Sequence, residues 1–254
     1  MILAIDIGNT NIVFGIYHQD KWQNVWRIQT DPQKTADEYE VIFRSLLNSS
    51  RIDLSNVELV VLSSVVPSLN SEFESMLPVF LKAGIVLISP DIYSRLPLKI
   101  HNPYEIGTDL VANATAAFTK FSKPCMVIDF GTALTFTTIS EEGEILGVSI
   151  APGLKTAIKA LAGNTAQLPN VQPIPPPSVL GKNTVHAIQS GVVIGYSGLV
   201  GCIIKKTEEE LKQKITTIAT GGLSRVFATH FSLVDHVEEN LTLEGLIIIG
   251  SLFL

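Results

Sequence analysis

The chain has 254 residues, of which 46% are hydrophobic and 17% charged, and its formal net charge is −6. This length suits two domains that each bury a core, and the apolar content is too high for a disordered chain. The negative charge, without a cluster of Lys and Arg, argues against binding to nucleic acid or to an anionic membrane.

The first predicted element is the apolar strand Ile2-Leu3-Ala4-Ile5, which is followed by Asp6. Neither the basic region nor the cleavage site of a secretion signal is found there, so we expect a cytoplasmic protein. The longest apolar stretches, residues 191–204 and 245–254, are shorter than the ~20 residues that cross a bilayer. Both are expected to be buried helices, and no membrane partner is expected.

That first strand opens a motif that occurs twice, because residues 1–17 match residues 124–140 at an offset of 123 positions. Each copy has an apolar strand, an Asp, one apolar residue, a Gly and a polar turn, followed by a β-branched strand. The two turns are Asp6-Ile7-Gly8-Asn9-Thr10-Asn11 and Asp129-Phe130-Gly131-Thr132-Ala133. Each copy therefore predicts a hairpin whose turn would hold a ligand.

Turns of this kind suit a polyphosphate, because small residues let backbone N–H groups approach it and carboxylates hold magnesium. A single such turn also closes ordinary hairpins, so a duplicated scaffold without a ligand remains an alternative. A later turn, Ala219-Thr220-Gly221-Gly222, follows a predicted buried strand. Its glycines would let the backbone lie flat against an adenine or ribose, or would merely end the strand.

Helices and strands follow both hairpins in a similar order. The first half contains a predicted helix over residues 36–48 and a strand over 57–64, and the second contains helical segments up to Gln213 and a strand over 215–219. This pattern predicts an α/β fold of two duplicated domains, in which mixed sheets are flanked by helices. We place the boundary near Lys123, which gives domains 1–123 and 124–254.

Between the repeats, Gly107-Thr108-Asp109 begins a helix that is predicted to reach about Phe121. Asp109 falls in the first turn, where the helix dipole favours an ionised carboxylate. It would either stabilise the helix end or act as a general base that orients a substrate hydroxyl toward the γ-phosphate of ATP. Spacing alone does not decide between these roles.

A second predicted helix begins after Asn183 and carries a glycine every three or four residues. The glycines give it a face almost without side chains, at Gly191, Gly195, Gly198 and Gly201. Such a face lets another backbone approach closely, either within a domain or across a dimer.

Taken in order along the whole chain, these motifs resemble the type III pantothenate kinases. The further motifs that carry the resemblance are Ala151-Pro152-Gly153, Thr165-Ala166-Gln167-Leu168-Pro169, Gly181-x-Asn183-Thr184 and Thr220-Gly221-Gly222. The resemblance implies two duplicated ribonuclease-H-like domains of the actin-like ATPase superfamily. It also implies a homodimer that uses ATP to phosphorylate pantothenate to 4′-phosphopantothenate, the first step of coenzyme A biosynthesis.

The resemblance further implies roles for particular residues. Asp109 would accept the proton of the substrate, Gly107, Thr108 and Leu110 would line the pantothenate site, and Thr184 would bind pantothenate from a neighbouring subunit. Asp129 would bind a monovalent cation, potassium or ammonium, and Asp6 would lie near the magnesium that accompanies ATP. The predicted ATP site comprises Asp6, Ile7, Gly8, Asn9, Thr10, Asn11, Ile12, Val13 and Thr132, together with Gly221 and Gly222 of the glycine turn.

Three positions depart from the usual pattern of the family, all on the side of the acceptor substrate. Leu110 stands where Gly-x-Asp-Arg is usual, and it cannot pair with a carboxylate as an arginine would. Ile100 stands in place of a tyrosine, and Val148 interrupts a Gly-Gly pair. Two alternatives therefore accompany pantothenate kinase: a kinase of the same fold with a different acceptor, and a non-catalytic nucleotide-binding regulator.

Overall fold

A computed structural model describes residues 1–49 and 52–254 of the chain. It contains two compact units. The first unit comprises Met1–Thr119 together with Leu241–Leu254, and the second comprises Lys120–Asn240.

The first unit is built on a five-stranded sheet in the order β3-β2-β1-β4-β5. Its strands and first helices are β1 (Ile2–Ile7), β2 (Asn11–His18), β3 (Lys21–Gln29), α1 (Ala36–Ser49), β4 (Leu59–Ser64), α2 (Asn70–Phe80), β5 (Gly84–Leu87) and α3 (Thr108–Phe121). Strand β1 pairs antiparallel with β2 and parallel with β4, so the sheet is mixed. Strands β1 and β4 lie inside the sheet and are buried on both faces, so their residues are apolar except for Asp6, Ser63 and Ser64 near the strand ends.

Helix α1 packs against this sheet through residues four positions apart. Tyr39, Phe43 and Leu47 are completely buried, because residues at i, i+4 and i+8 share one face of a helix. The rings of Tyr39 and Phe43 contact Phe73 of α2, at centroid distances of 5.1 and 5.4 Å. The Tyr39 hydroxyl donates to the carbonyl oxygen of Asp31 at 2.9 Å, so this buried phenol is satisfied.

The second unit repeats the arrangement of the first. Its sheet has the order β10-β9-β6-β7-β8, with β6 antiparallel to β7 and parallel to β9. Its elements are β6 (Cys125–Phe130), β7 (Ala133–Ile139), β8 (Ile145–Pro152), α4 (Leu154–Gly163), α5 (Thr184–Gln189), α6 (Gly195–Leu211), β9 (Thr216–Thr220), α7 (Ser224–Phe231) and β10 (His236–Val237). The predicted duplicated α/β fold with mixed, helix-flanked sheets is confirmed.

The last helix, α8 (Leu241–Ser251), belongs to the first unit. Gly245 lies directly against the backbone of Ala112 in α3, and a Cβ at Gly250 would lie 2.5 Å from the side chain of Val61 in β4. A boundary near Lys123 assigns this helix to the second domain, whereas the structure packs it on the first sheet. The apolar run of residues 245–254 predicts a buried helix but not the surface that buries it.

The helix of residues 184–211 is more exposed than its sequence indicates. Helices α5 and α6 are joined by a π-helical segment, Ser190–Ile194, into one helix of 28 residues. Its most apolar stretch is only 33% buried, so the prediction of a buried helix over residues 191–204 is wrong for much of its surface. A Cβ at Gly191, Gly195 or Gly198 would meet no atom within 4 Å, so the glycine face is open.

Candidate functional site

The first polar turn joins β1 to β2 and is tied down from a neighbouring strand. The Gly8 N–H donates to the Asn11 carbonyl at 3.0 Å, and the Thr30 hydroxyl at the end of β3 donates to the Gly8 carbonyl at 2.6 Å. Asn9 and Thr10 are exposed at the tip. The turn therefore has a fixed backbone and presents polar groups to solvent.

Not every residue predicted to hold ATP in this segment offers a side chain. Ile7 and Ile12 are fully buried in the core of the first unit. Val13 and Asn11 are half-buried on β2. The two buried isoleucines can contribute to a ligand only through their backbone.

A line of hydrogen bonds connects the first turn to the start of α3. The Ser63 hydroxyl, at the end of β4, donates to Asp6 Oδ1 at 3.0 Å and lies 3.0 Å from the Thr108 hydroxyl. The Thr108 hydroxyl also accepts from the Ser64 N–H at 3.2 Å and lies 3.1 Å from the Ser64 carbonyl. Thr108 is thus engaged by the protein, and its hydroxyl mainly fixes the helix start.

Asp109 follows directly and is held by its own helix. Its Oδ1 accepts the Leu110 N–H at 2.8 Å. Burial raises the pKa of the Asp109 carboxyl above its ordinary value, although backbone N–H donors oppose this shift. A Cβ at Gly107 would lie 2.5 Å from Asp109 Oδ1, so glycine leaves the carboxylate its space.

The other two predicted acceptor residues have different surroundings. Leu110 is 8% exposed, so the side chain of an arginine at this position would start from a buried part of the protein. Thr184 is exposed as the first residue of α5, in the second unit. Asn183 caps this helix, because its Oδ1 accepts the His186 N–H at 2.9 Å.

The second polar turn joins β6 to β7 and is one residue shorter than the first. Its Gly131 N–H donates to the Ala133 carbonyl at 3.1 Å. The Thr132 carbonyl accepts from the Gly153 N–H at 2.9 Å and from the Thr156 hydroxyl at 2.7 Å. The Thr132 residue itself is exposed, so the backbone is fixed while the residue faces solvent.

The glycine turn after β9 lies beside the end of β6. Thr220 is the register partner of Asp129, and Gly221 follows with a φ of +86°. A Cβ at Gly221 would lie 2.5 Å from Asp129 Oδ1, whereas a Cβ at Gly222 would meet no atom within 4 Å. The structure therefore brings Asp129 and Gly221 together and leaves Gly222 open.

The carboxylates of the two turns, Asp6 and Asp129, are the candidate metal ligands of the site. Within residues 1–49 and 52–254, no three His, Cys, Asp or Glu side chains form a cluster. Magnesium at a nucleotide site commonly uses one or two carboxylates and takes its remaining ligands from phosphates and water. Asp6, half-buried near the end of β1, fits this pattern as a single oxygen donor, and Asp129, half-buried near the end of β6, offers one oxygen donor that suits a monovalent cation.

Sequence reasoning missed Ser63, which binds the Asp6 carboxylate. The run Leu59–Ser64 predicts a buried strand, but its final serines resemble the small residues of any strand end. The parallel pairing of β1 with β4 places Ser63 opposite Asp6, in the same register that places Thr220 opposite Asp129. The internal repeat extends to β4 and β9, the fourth strand of each unit, and aligning those two strands would have pointed to Ser63.

Solved structures share the fold of this chain. MreB 5 of Spiroplasma citri bound to AMPPNP matches with a TM-score of 0.51 and 11% identity, covering 99% of this chain and 96% of that one. The activator of 2-hydroxyisocaproyl-CoA dehydratase from Clostridium difficile, solved with ADPNP, matches with a TM-score of 0.52 and 11% identity, covering 99% and 93%. Two such sheets, each with a polar turn between its first two strands, define an actin-like ATPase fold.

Sequence comparison specifies the family. The family described as Type III pantothenate kinase matches residues 2–206. A type III pantothenate kinase of Moorella thermoacetica is 42% identical over 249 residues, which cover 98% of each chain. The chain belongs to the type III pantothenate kinase family, a family of ATP-dependent kinases, and it is a phosphotransferase. The resemblance is confirmed, and the alternative of a non-catalytic regulator is not retained.

Proposed function

We propose that this chain transfers the γ-phosphoryl group of ATP to the terminal hydroxyl of pantothenate and forms 4′-phosphopantothenate. The observation that carries the proposal is the line of hydrogen bonds from Asp6 through Ser63 to Thr108. These hydrogen bonds link the Asp6 carboxylate, in the turn proposed to bind phosphates, to the start of α3, which carries Asp109. Asp6, on the proposed nucleotide side, and Asp109, the buried candidate base, are thus held at one edge of the first sheet.

Asp109 is the proposed general base. It accepts the proton of the pantothenate hydroxyl while the hydroxyl oxygen bonds to the γ-phosphorus. The bond from that phosphorus to the β–γ bridging oxygen breaks, and ADP leaves. Burial raises the pKa of the Asp109 carboxyl, which brings it closer to neutral pH, where a general base is most effective.

The nucleotide is assigned to both polar turns. In the first, the backbone of residues 6–13 and the exposed Asn9 and Thr10 would bind phosphates, with Asp6 holding the magnesium that neutralises their charge. In the second unit we assign Thr132 to ATP, Asp129 to a potassium or ammonium ion, and the Gly221-Gly222 turn to the nucleoside. Two neighbours of the same fold were solved with AMPPNP and ADPNP, which supports a nucleotide at these turns.

Kinase activity is tested by the release of ADP from purified protein with and without pantothenate, in potassium and in sodium. Release that depends on pantothenate and is faster in potassium is expected. Asp109→Asn serves as the matched control, since it keeps the size and polarity of the side chain but cannot accept the proton. Absence of pantothenate-dependent ADP in either cation contradicts the proposal.

Leu110 motivates a second candidate acceptor, one without a carboxylate. The side chain is buried and apolar where the family pattern has an arginine, so charge recognition of the pantothenate carboxylate by this residue is lost. The direct test compares kcat/KM for pantothenate and for pantothenol, whose carboxylate is replaced by an alcohol. Preference for pantothenate supports the main proposal, and a tenfold preference for pantothenol supports the alternative.

We also propose a cytoplasmic homodimer that pairs through the helix of residues 184–211 and supplies Thr184 to the pantothenate site of the partner. By length and composition this helix could cross a membrane, but its open glycine face suits close packing with another helix. Exposed apolar residues on the edge strand β8 support the same reading: Leu146, Val148 and Ile150 are 43%, 38% and 70% exposed.

The dimer is tested by light scattering on the eluted protein, with a mass of twice 27.5 kDa expected. Gly198→Glu should give monomers, because position 198 has open space for a side chain and the charge would then oppose pairing. Gly163→Glu is the matched control, since position 163 is equally open but lies at the end of α4. A monomeric wild-type protein contradicts the proposal.

A further inference from the structure

The first polar turn is held from outside its hairpin by Thr30, the residue that follows β3. The Thr30 N–H donates to the Thr10 carbonyl at 3.0 Å, and the Thr30 hydroxyl donates to the Gly8 carbonyl at 2.6 Å. Thr30 is 8% exposed, so its side chain is largely shielded from water. A single residue beyond the hairpin thus fixes two carbonyl groups of the turn.

The second polar turn is held in a similar way by two residues. Gly153, which follows β8, donates its N–H to the Thr132 carbonyl at 2.9 Å, and the Thr156 hydroxyl donates to the same carbonyl at 2.7 Å. A Cβ at Gly153 would lie 2.6 Å from that carbonyl oxygen, so only glycine fits beside the turn. The motif Ala151-Pro152-Gly153 therefore ends in a residue that packs directly on the turn.

Both units use a threonine hydroxyl, although it comes from different positions. Thr30 and Gly153 are equivalent, because each follows the third strand of its unit and donates its N–H to a carbonyl of the turn. Gly153 has no side chain, and Thr156, three residues later, supplies the hydroxyl instead. A hydroxyl that reaches the turn by two routes indicates a requirement of the turns themselves.

The geometry of the peptide bond shows what these hydroxyls do. A peptide unit is planar, and in the trans form its N–H points opposite to its carbonyl. Holding the Gly8 carbonyl therefore fixes the direction of the Asn9 N–H, and holding the Thr132 carbonyl fixes that of the Ala133 N–H. Turns of this kind bind phosphates through backbone N–H groups, and donors that are fixed beforehand lose less entropy on binding.

The hydrogen bond of Thr156 has little to offer the fold alone. Thr156 is exposed, so water would replace the bond at small cost. The residue lies in the first turn of α4, yet its hydroxyl bonds to a carbonyl 24 positions away. The segment before it is fixed in turn, because the Tyr196 hydroxyl donates to the Pro152 carbonyl at 2.7 Å.

We propose that Thr30 and Thr156 are positioning residues of the ATP site, whose hydroxyls hold the two turns in the conformation that binds ATP. This role rests on the proposed function, which assigns ATP to both turns. Each threonine acts through a carbonyl of its turn and not on the nucleotide directly.

Thr30→Val and Thr156→Val test the proposal, since valine keeps the branched shape and removes the hydroxyl. Each should weaken the binding of AMPPNP with magnesium, measured by calorimetry, about two- to tenfold, as expected for one lost neutral hydrogen bond. Thr30→Ser and Thr156→Ser keep the hydroxyl and should bind AMPPNP within about a factor of two of wild type. The KM for pantothenate should be unchanged in all four variants.

Thr115→Val is the matched control. Thr115 is fully buried in α3, and its hydroxyl donates to the Val111 carbonyl at 2.8 Å. This substitution removes a comparable hydrogen bond away from both turns, so it should leave the affinity for AMPPNP unchanged. A Thr30→Val or Thr156→Val protein that melts at a lower temperature but binds AMPPNP like wild type has lost only stability, and this result overturns the positioning role of that residue.

The remaining outcomes separate this role from the proposed function. A loss of affinity that serine does not restore overturns the role of the hydroxyl. Wild-type protein that does not bind AMPPNP refutes the ATP site and the positioning role together, whereas protein that binds AMPPNP but releases no pantothenate-dependent ADP refutes the proposed reaction alone. If Thr30→Val does not fold, the smaller Thr30→Ala takes its place, and the exposed Thr156 is decided independently.

Discussion

Replacing Gly221 by alanine places a methyl group where the second unit has no room for one. The new Cβ would lie 2.5 Å from Asp129 Oδ1 and 2.9 Å from two backbone atoms of Phe130. Phe130 belongs to β6, the middle strand of its sheet, so its backbone cannot move aside cheaply. The φ of +86° at Gly221 is also one that alanine rarely adopts.

The two penalties can be estimated separately. A non-glycine residue at such a φ costs about 1–2 kcal/mol, and forcing a methyl group into packed surroundings costs about 1–3 kcal/mol. Together they predict a loss of about 2–5 kcal/mol, which corresponds to a fall of roughly 4–20 °C in melting temperature for a protein of this size. If the turn shifts to make room for the methyl group, it moves away from Asp129 in β6, and binding of ATP should weaken.

Thermal unfolding followed by circular dichroism, with and without ATP, measures both effects. Gly222→Ala is the internal control, since a Cβ there meets nothing within 4 Å and the residue has no positive φ. Its stability should match or slightly exceed that of the wild type, while its KM for ATP should rise if the nucleoside lies on this turn. A Gly221→Ala protein that melts within about 1 °C of wild type, a change of no more than about one-half kcal/mol, would refute the reasoning.

Three further predictions follow from the first unit. Asp109→Asn should lower kcat by about 10²–10⁴-fold. Because burial raises the pKa of this carboxyl in the folded protein, its ionisation at pH 7 opposes folding, and the variant should unfold at a higher urea concentration than wild type. This difference in stability should vanish as the pH falls below 3.8, the ordinary pKa of the carboxyl, where it is protonated in both the folded and the unfolded protein. Ser63→Ala removes the donor to Asp6 and should destabilise the unit by about 1–3 kcal/mol; urea unfolding that matches wild type would contradict this. Gly245→Ala overlaps the backbone of α3 and should melt several degrees lower, roughly 2–4 °C per kcal/mol, whereas an unchanged melting curve would show that α8 can shift.

The hairpins and the helix of the acceptor motif were predictable because their signals are local. The repeated Asp-x-Gly with flanking β-branched residues identifies both hairpins, and the structure pairs β1 with β2 and β6 with β7. A glycine and a threonine ahead of an apolar repeat predict a helix from residue 108 to about 121, and α3 spans Thr108–Phe121.

The remaining features depend on contacts between distant parts of the sequence. Ser63 reaches Asp6 across 57 positions, and only the pairing of β1 with β4 brings the two together. The hydroxyl of Tyr93, which is buried without a hydrogen-bond partner among the described residues, could not be foreseen, because a missing partner is a property of the folded surroundings. Apolar composition predicted two buried helices, yet it could not show that α8 packs on the first sheet or that the helix of residues 184–211 keeps an open face.

The position of α8 has a consequence for how the chain is made. During synthesis the strands of the first unit leave the ribosome early, but the helix that covers part of β1 and β4 is translated only after the second unit. Until α8 is made, the apolar surface around Val61 stays exposed to solvent while the whole second unit is synthesised. A fragment that ends at residue 123 should therefore aggregate, and adding residues 241–254 as a separate peptide should restore its solubility.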